Sequence, residues 1–307
     1  MSFINLQKYQ KASKVFISPR FQQVVILHIL KNNLQKVEAE VPLLLGIHGP
    51  SGEGKTFQIE QILKKMGVKR FLLSGGQMES PIPGQPAHLV RTTYIQASEN
   101  MRGGGCSLAV VLINDVDTGL GSVGEMGRYT INQQAVFGEL MHLVDYPGAV
   151  EGRDTLRIPI IITGNDFRRL YAPLVRAGRM TAFEWIPTWE ERVQIVCGII
   201  PELSKAEIER LIMELRDELR LEMVDPAKAL TVAFFSHLRS SLMDEDLWRE
   251  VEQNYVDKVV DNILTGKEPD LTLGITYERV FAKGLELARS GELFGHLPSM
   301  NNLSKPT

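Results

Sequence analysis

Gly49-Pro50-Ser51-Gly52-Glu53-Gly54-Lys55-Thr56 is the stretch of sequence that decides the fold. It matches the phosphate-binding pattern G-x-x-x-x-G-K-[ST], which needs a strand before it and a helix after it. The apolar run 41–47 precedes it as a buried strand would, and residues 56–66 follow with apolar side chains at helical spacing. The sequence therefore predicts a strand, a glycine-rich loop and a helix, in preference to a chance glycine-rich turn.

The residue types of this loop suit a bound nucleotide. Glycines let the backbone turn tightly and bring its N–H groups to phosphate oxygens, and the N-terminus of the next helix adds partial positive charge. We expect Lys55 to reach the β- and γ-phosphates and the Thr56 hydroxyl to bind Mg²⁺. ATP and Mg²⁺ are the predicted cofactors. The predicted cofactor-binding residues of the loop are Gly49, Pro50, Ser51, Gly52, Glu53, Gly54, Lys55 and Thr56.

The composition excludes several other classes of protein. Of 307 residues, 44% are hydrophobic and 23% charged, which is ordinary for a globular chain of about two domains. The net charge of −3 gives no basic field for nucleic acid, and two cysteines are too few for a disulfide scaffold or a metal–thiolate site. No stretch approaches the ~20 apolar residues of a membrane span, and the N-terminal residues lack a secretory apolar region. We therefore expect a cytoplasmic protein without a membrane or nucleic-acid partner.

Strand patterns alternate with helical patterns up to Pro187, and helical patterns dominate after it. Buried strands are predicted at 108–113 and 158–162, a short last strand at 183–185, and helix-capping boxes at 188–191 and 204–207. The predicted fold class is α/β, a P-loop NTPase domain with a parallel sheet flanked by helices, followed by a smaller α-helical lid domain. The predicted divisions are a lead-in at 1–17, the α/β nucleotide-binding domain at 18–187, the helical lid at 188–290 and a tail at 291–307.

Polar residues follow two of the predicted strands. Asn114-Asp115-Val116-Asp117 ends the first, and we expect Asp115 to bind Mg²⁺ and polarise the attacking water, with Asp117 as the second candidate for the water. The alternative is that these acids only solvate a loop. Asn165 follows the next strand, where its amide could bridge the γ-phosphate and the water, or form an ordinary Asx turn.

Three arginines are further candidates for the site. Arg176 and Arg179 lie in Arg176-Ala177-Gly178-Arg179, and one of them could stabilise transition-state charge as an arginine finger supplied in trans. The sequence does not separate the two, and surface arginines near a helix end are the alternative. Arg239, in the helical half, could reach the nucleotide from the lid, although a lone helical arginine often faces solvent.

Order and spacing of these motifs resemble an AAA+ ATPase, and within that superfamily the chain looks most like Rubisco activase. The Asn-Asp-x-Asp pattern is itself typical of activases, whereas Pro50-Ser51 and Glu53 depart from the usual activase loop. The resemblance is expected to weaken after about Gly198 and to indicate a divergent, compact, cyanobacterial-type member. Six stretches carry it: 41–49, 74–80, 113–119, 128–132, 159–167 and 170–180.

The resemblance implies a ring, expected to be a hexamer, that uses ATP hydrolysis to release inhibitory sugar phosphates from Rubisco. It assigns γ-phosphate sensing to Asn165, the in-trans finger to Arg176 and Arg179, and the lid sensor to Arg239. It also implies that segments Glu79–Gln85 and Gly119–Tyr129 line a central pore, and that the protein is cytoplasmic, or stromal if plastid-derived. The alternative is an ATP-gated scaffold that organises Rubisco or another client without reactivating it.

Overall fold

The structure, a computed structural model, describes residues 15–290 apart from 36–38, 79, 81, 117–130, 223, 268 and 273. The chain divides into two compact units, one formed by residues 17–186 and the other by residues from Pro187 onward together with Val15 and Phe16. Residues 17–186 alternate strands with helices, and the unit that begins at Pro187 is helical where it is described. The predicted fold class is confirmed.

The first unit contains four helices and seven strands in its described part. The last strand is longer than predicted and begins three residues earlier, because only one of its five residues is buried and its apolar signal is weak. The elements are α1 (Pro19–Asn32), β1 (Leu44–His48), α2 (Lys55–Met66), β2 (Lys69–Ser74), α3 (Gln85–Arg102), β3 (Ala109–Asn114), α4 (Ile131–Asp145), β4 (Ala149–Val150), β5 (Arg153–Asp154), β6 (Ile160–Gly164) and β7 (Met180–Glu184), with 3₁₀ turns at Gly75–Met78 and Phe167–Arg169.

Five of the strands form one parallel sheet in the order β2-β3-β6-β1-β7. The three inner strands are almost wholly buried, because helices cover parallel sheets on both faces and the strands are continuous apolar runs. In a parallel sheet all carboxyl ends lie at one edge. The loop after β1 therefore lies at that edge, beside the segment that follows the central strand β6.

The ends of α1 and α2 follow local sequence signals. The Ser18 hydroxyl accepts the N–H of Phe21 and Pro19 occupies the first turn of α1. Gly67 ends α2 in the left-handed conformation, with φ of 66°, and its N–H bonds the carbonyl oxygens of Leu63 and Lys64. Gly67 is therefore the C-terminal cap of α2.

Two buried polar side chains attach α1 to the sheet. A ring nitrogen of His28 lies 3.2 Å from the carbonyl oxygen of Ile160, and the Asn32 amide donates to the carbonyl oxygen of Pro42 at 3.1 Å. Burial lowers the pKa of His28 to about 4. The imidazole is therefore neutral at ordinary pH.

The second unit packs its helices around a separate apolar core that includes Leu211, Phe235 and Val280. Both predicted capping boxes are confirmed at Thr188–Glu191 and Ser204–Glu207. None of the helices in the described part of the chain combines the length and apolar character that a membrane crossing requires. The helices are α5 (Trp189–Ile199), α6 (Lys205–Leu221), α7 (Pro226–Ala229), α8 (Val232–Asn254), α9 (Val256–Leu264) and α10 (Tyr277–Ser290).

Candidate nucleotide site

The loop between β1 and α2 has the backbone that a phosphate cradle needs. Gly49, Gly52 and Gly54 have φ of 146°, 76° and 75°, a region that side-chain-bearing residues rarely occupy. A Cβ atom at Gly49 would lie 2.1 Å from the carbonyl oxygen of Trp185. Glycine is therefore required at Gly49 on two grounds, conformation and space. Helix α2 starts at Lys55, so its N-terminal N–H groups face the loop.

Lys55 lies between the loop and the end of β6. Its Nζ donates to the carbonyl oxygens of Gly49 at 2.8 Å and Pro50 at 2.9 Å, and to Oδ1 of Asn165 at 3.1 Å. Residues 110 positions apart in sequence thus meet at one ammonium group. The structure brings together the predicted phosphate-binding lysine and the predicted γ-phosphate sensor.

A second set of contacts joins the start of α2 to the ends of β3 and β6. The Thr56 hydroxyl donates to Oδ1 of Asn114 at 3.4 Å, and the Thr163 hydroxyl donates to the same oxygen at 3.2 Å. The backbone N–H of Asp115 donates to Oγ1 of Thr163 at 3.0 Å. Sequence reasoning left Asn114 and Thr163 out of the site, although both stand beside residues that it selected.

Asp115 is held in an uncommon backbone conformation. Its φ of 51° is left-handed, and Asp115 is one of three non-glycine residues with positive φ in the described part of the chain. Such conformations cost roughly 1–3 kcal/mol and concentrate at functional sites. Asp117 and the segment Gly119–Tyr129 lie outside the described residues, so their predicted roles stay predictions.

The oxygen atoms at this edge suit Mg²⁺. The Thr56 hydroxyl oxygen lies at the start of α2, and the Asn114 amide oxygen and the Asp115 carboxylate lie at the end of β3. Hard cations take oxygen ligands of this kind. Among the described residues, no group of three or more His, Cys, Asp or Glu side chains could hold a metal on its own. Mg²⁺ commonly combines one or two protein ligands with nucleotide phosphates and water.

Trp185 holds the backbone of the phosphate loop through hydrogen bonds. Sequence reasoning did not include this residue in the site. Its indole N–H donates to the carbonyl oxygen of Glu53 at 2.7 Å, and its backbone N–H donates to the carbonyl oxygen of His48 at 2.6 Å. Its ring packs edge-on against Phe21, with centroids 5.0 Å apart. The Glu53 side chain is only 2% exposed, so Glu53 faces the interior and offers the loop its backbone groups.

The predicted finger arginines lie at the other edge of the sheet. The carbonyl oxygen of Arg179 accepts the N–H of Leu44, the first residue of β1, which places Arg179 at the amino ends of the strands. The Arg179 guanidinium donates to the carbonyl oxygen of Pro173 and to Asp145, each at 3.2 Å. The Arg176 side chain is exposed. The structure therefore separates these arginines from the phosphate loop of the same chain.

Arg239 forms a two-pronged ion pair within the helical unit. Its two terminal nitrogens lie 2.6 and 2.7 Å from the carboxylate oxygens of Glu202, and one also donates to the carbonyl oxygen of Ile199 at 2.7 Å. The side chain is 20% exposed. The guanidinium is thus fixed between α5, α8 and the turn after α5, and its predicted role as a nucleotide sensor stays a prediction.

The first predicted pore segment, Glu79–Gln85, is described in part. The Asn132 amide donates to the carbonyl oxygen of Ser80 at 2.6 Å and accepts the N–H of Gly84 at 2.9 Å. Between these anchors the Ile82 side chain is exposed. The segment is therefore a short tip fastened to α4, and its position relative to a pore stays a prediction.

Comparison with known proteins agrees with this geometry. Residues 45–188 match the family described as ATPase family associated with various cellular activities (AAA). The similarity to this family covers most of the α/β unit. The phosphate loop, the strand end at Asn114 and the strand end at Asn165 all lie within the matched residues.

The curated relatives are activases. The chain is 42% identical over 273 residues to ribulose bisphosphate carboxylase/oxygenase activase of Anabaena sp. (strain CA / ATCC 33047), covering 84% of this chain and 63% of that protein. It is 41% identical to the activase of Nostoc sp. over 273 residues with the same coverage, and 35% identical to chloroplastic activase 1 of Nicotiana tabacum over 284 residues, covering 87% and 62%. The resemblance to Rubisco activase is confirmed.

The extent of the match bears on the helical unit. An alignment that covers 84% of the chain is longer than residues 1–198, so the similarity continues into the helical unit. The expected weakening after about Gly198 stays a prediction. The chain spans about 63% of the length of these cyanobacterial relatives.

Proposed function

We propose that the chain is an ATPase that binds Mg²⁺-ATP at the edge of the sheet where β1, β3 and β6 end. The observation that carries this proposal is the meeting of Lys55 with Asn165, 3.1 Å apart, across the mouth of the glycine loop. A γ-phosphate that both groups contact has to lie between a positive charge and an amide. Lys55 supplies the positive charge and Asn165 the amide, from adjacent segments of the fold.

The proposed roles follow the chemistry of each group. Backbone N–H groups of residues 49–56 and the Lys55 ammonium hold the phosphates, and the Thr56 hydroxyl is the proposed Mg²⁺ ligand. When bound, Mg²⁺ would neutralise charge on the β- and γ-phosphates. Asp115, at the end of β3, is the proposed group that orients and polarises the attacking water. Asn165 is proposed to sense the γ-phosphate.

A ring of several copies is proposed to complete the site. Arg176 and Arg179 precede β7 at the amino edge of the sheet, and one strand of five residues at ~3.3 Å each separates that edge from the phosphate loop by roughly 16 Å. An arginine there cannot reach the nucleotide of its own chain. The arrangement supports an in-trans finger and a closed ring, which we propose to be hexameric.

The proposed client is Rubisco. The relatives named above are called ribulose bisphosphate carboxylase/oxygenase activases, and the similarity extends over 84% of this chain. We propose that ATP-driven conformational work releases inhibitory sugar phosphates from Rubisco, in a cyanobacterial cytoplasm or a plastid stroma. Remodelling of this kind requires ATP turnover together with a surface that grips the client.

A reactivation assay tests the proposal. Rubisco inhibited with its sugar-phosphate substrate is incubated with the protein and ATP or a non-hydrolysable analogue, and carboxylation is followed over time. We expect recovery with ATP only, and none with the Lys55→Ala variant. Binding to Rubisco and ATP turnover without recovery would instead favour the scaffold alternative, and absence of ATP turnover would overturn the proposal itself.

A further inference from the structure

Thr163 occupies the strand position next to the end of β3. It is fully buried, and β6 ends one residue later at Gly164. Its hydroxyl donates to Oδ1 of Asn114 at 3.2 Å and accepts the backbone N–H of Asp115 at 3.0 Å. One hydroxyl thus holds two consecutive residues of the neighbouring strand.

The contacts continue to the start of α2. Oδ1 of Asn114 also accepts the Thr56 hydroxyl at 3.4 Å. A threonine hydroxyl has one proton to give and two lone pairs to accept with, so Thr163 can make both of its bonds at once. Thr56, Asn114, Thr163 and Asp115 therefore form one hydrogen-bonded chain across three segments of the fold.

This chain has a consequence for a metal at Thr56. When the Thr56 hydroxyl gives its proton to Asn114, its lone pairs are left for a cation. Asn114 can accept in that orientation only while its amide is held, and the Thr163 hydroxyl bonds the same oxygen. Outer partners of this kind orient the groups that touch a metal.

The chain also has a consequence for Asp115. With φ of 51°, its backbone lies in a region that non-glycine residues leave unless their surroundings hold them. The Thr163 hydroxyl bonds the N–H of this residue and so contributes to holding it. A change in that conformation would redirect the carboxylate that follows.

We propose that Thr163 is a positioning residue of the ATP site, acting through Asn114 on Thr56 and through the backbone of Asp115 on its carboxylate. The inference rests on the proposed ATPase function. It assigns a role to Thr163, which would contact neither the nucleotide nor the metal in the proposed site. The alternative is that Thr163 only fills the core. In that case its shape would be required for stability, and loss of its hydroxyl would not change ATP turnover.

Two substitutions separate the hydroxyl from the shape. Thr163→Val keeps the branched shape and removes both hydrogen bonds, whereas Thr163→Ser keeps the hydroxyl and removes a methyl group. Thr155→Val is the matched control, because Thr155 is also buried in this unit and its hydroxyl donates to the carbonyl oxygen of Pro147 at 2.8 Å. The control loses one buried hydrogen bond away from the site.

The experiment measures ATP turnover, nucleotide affinity with and without Mg²⁺, and thermal unfolding for the wild type and the three variants. For Thr163→Val we expect kcat to fall about tenfold or more and the Mg²⁺ concentration for half-maximal turnover to rise, as for other outer-shell changes. Mg²⁺-free nucleotide affinity should stay within about threefold, because the phosphate loop is untouched. Thr163→Ser and Thr155→Val should keep kcat within about threefold of the wild type.

Three results would overturn the inference. These are normal kcat in Thr163→Val, an equal loss in Thr155→Val, or a loss of Mg²⁺-free nucleotide binding in Thr163→Val that matches its loss of kcat. A wild-type protein without ATP turnover would instead sink the proposed function, so the two failures are distinguishable.

Discussion

Trp185 and Glu53 are joined by a hydrogen bond of 2.7 Å from the indole N–H to a backbone carbonyl oxygen, across 132 positions of sequence. The backbone N–H of Trp185 bonds His48, the residue just before the loop, and its carbonyl oxygen fills the space where Gly49 would carry a Cβ atom. Trp185, the residue that follows β7, therefore contacts the phosphate loop both at its start, next to Gly49, and in its middle, at Glu53.

Replacing Trp185 with phenylalanine should weaken nucleotide binding. Phenylalanine keeps an aromatic ring against Phe21 but cannot donate to the Glu53 carbonyl oxygen, and an unpaired buried acceptor costs about 1–3 kcal/mol. We expect nucleotide affinity to fall roughly fivefold or more, measured by titration calorimetry. Trp248→Phe is the control, because Trp248 is exposed and its indole bonds Glu252 in the helical unit. Equal affinities for Trp185→Phe and the wild type would contradict the bracing role.

Removal of the Lys55 ammonium should abolish nucleotide binding. Lys55→Ala takes away the ammonium group that is proposed to hold the phosphates, next to the N-terminus of α2. A fluorescent ATP analogue reports binding directly. Lys64→Ala, in the last turn of the same helix, removes an equal charge from an exposed position and should bind normally. Binding by Lys55→Ala close to that of the wild type would show that the loop holds no phosphate.

Asp115→Asn should separate binding from hydrolysis. The substitution keeps the size of the side chain and removes the charge that polarises water, so we expect ATP binding near normal and turnover reduced by at least about a hundredfold. Phosphate release is the measurement. Normal turnover would show that Asp115 is the wrong carboxylate and direct attention to Asp117.

Arg176 and Arg179 should differ in their effect on stability. Arg179 bonds Pro173 and Asp145 within its own chain, whereas Arg176 is exposed. We expect Arg176→Ala to lower ATP turnover at least tenfold with an unchanged unfolding temperature, as for loss of a finger. Arg179→Ala should lower both.

Mixing Arg176→Ala with Lys55→Ala tests whether the arginine acts in trans. Each variant alone should have low turnover, but a mixed ring places an intact phosphate loop next to a neighbour with an intact Arg176, so part of the turnover should return. Absence of any recovery on mixing would argue against a shared site.

Acid should destabilise the α/β unit through His28. The folded-state pKa of His28 is about 4 against an ordinary 6.5, so between these values the unfolded chain binds the proton and the folded chain does not. Stability is then full above about pH 6.5 and falls as pH drops, by about 1.4 kcal/mol per pH unit, until about pH 4.

Urea unfolding from pH 7.5 to 4.5 measures this dependence. His28→Gln should unfold at lower urea at neutral pH, because it loses the contact with Ile160, but should show a shallower slope with pH. His237→Gln changes an exposed histidine and should keep the wild-type slope. An unchanged slope in His28→Gln would assign the acid sensitivity to other groups.

Local signals in the sequence were sufficient for much of the fold. The buried strands β3 and β6 were predicted because residues 108–113 and 158–162 are apolar runs, and the starts of α5 and α6 because serine or threonine precedes glutamate at capping distance. The phosphate loop could be located because its pattern is contiguous.

The remaining parts of the site depend on strand register and on distant packing. Thr163 meets Asp115 because β6 pairs with β3 in one register, and Trp185 meets Glu53 because β7 pairs with β1. Neither pairing can be derived from a local pattern. The same limit left Arg176 and Arg179 equivalent in the sequence. In the structure Arg179 bonds Asp145 and Arg176 is exposed, and which of them acts as the finger stays a prediction.

The position of Arg179 at the amino edge of the sheet, away from the phosphate loop of its own chain, changes how activity should scale. If an arginine from another copy completes each nucleotide site, an isolated chain has a phosphate loop without an arginine and an arginine without a phosphate loop. Turnover per chain would then fall when the protein concentration drops below that needed for assembly, even with ATP in excess. Catalysis by this protein would be a property of its concentration as well as of its sequence.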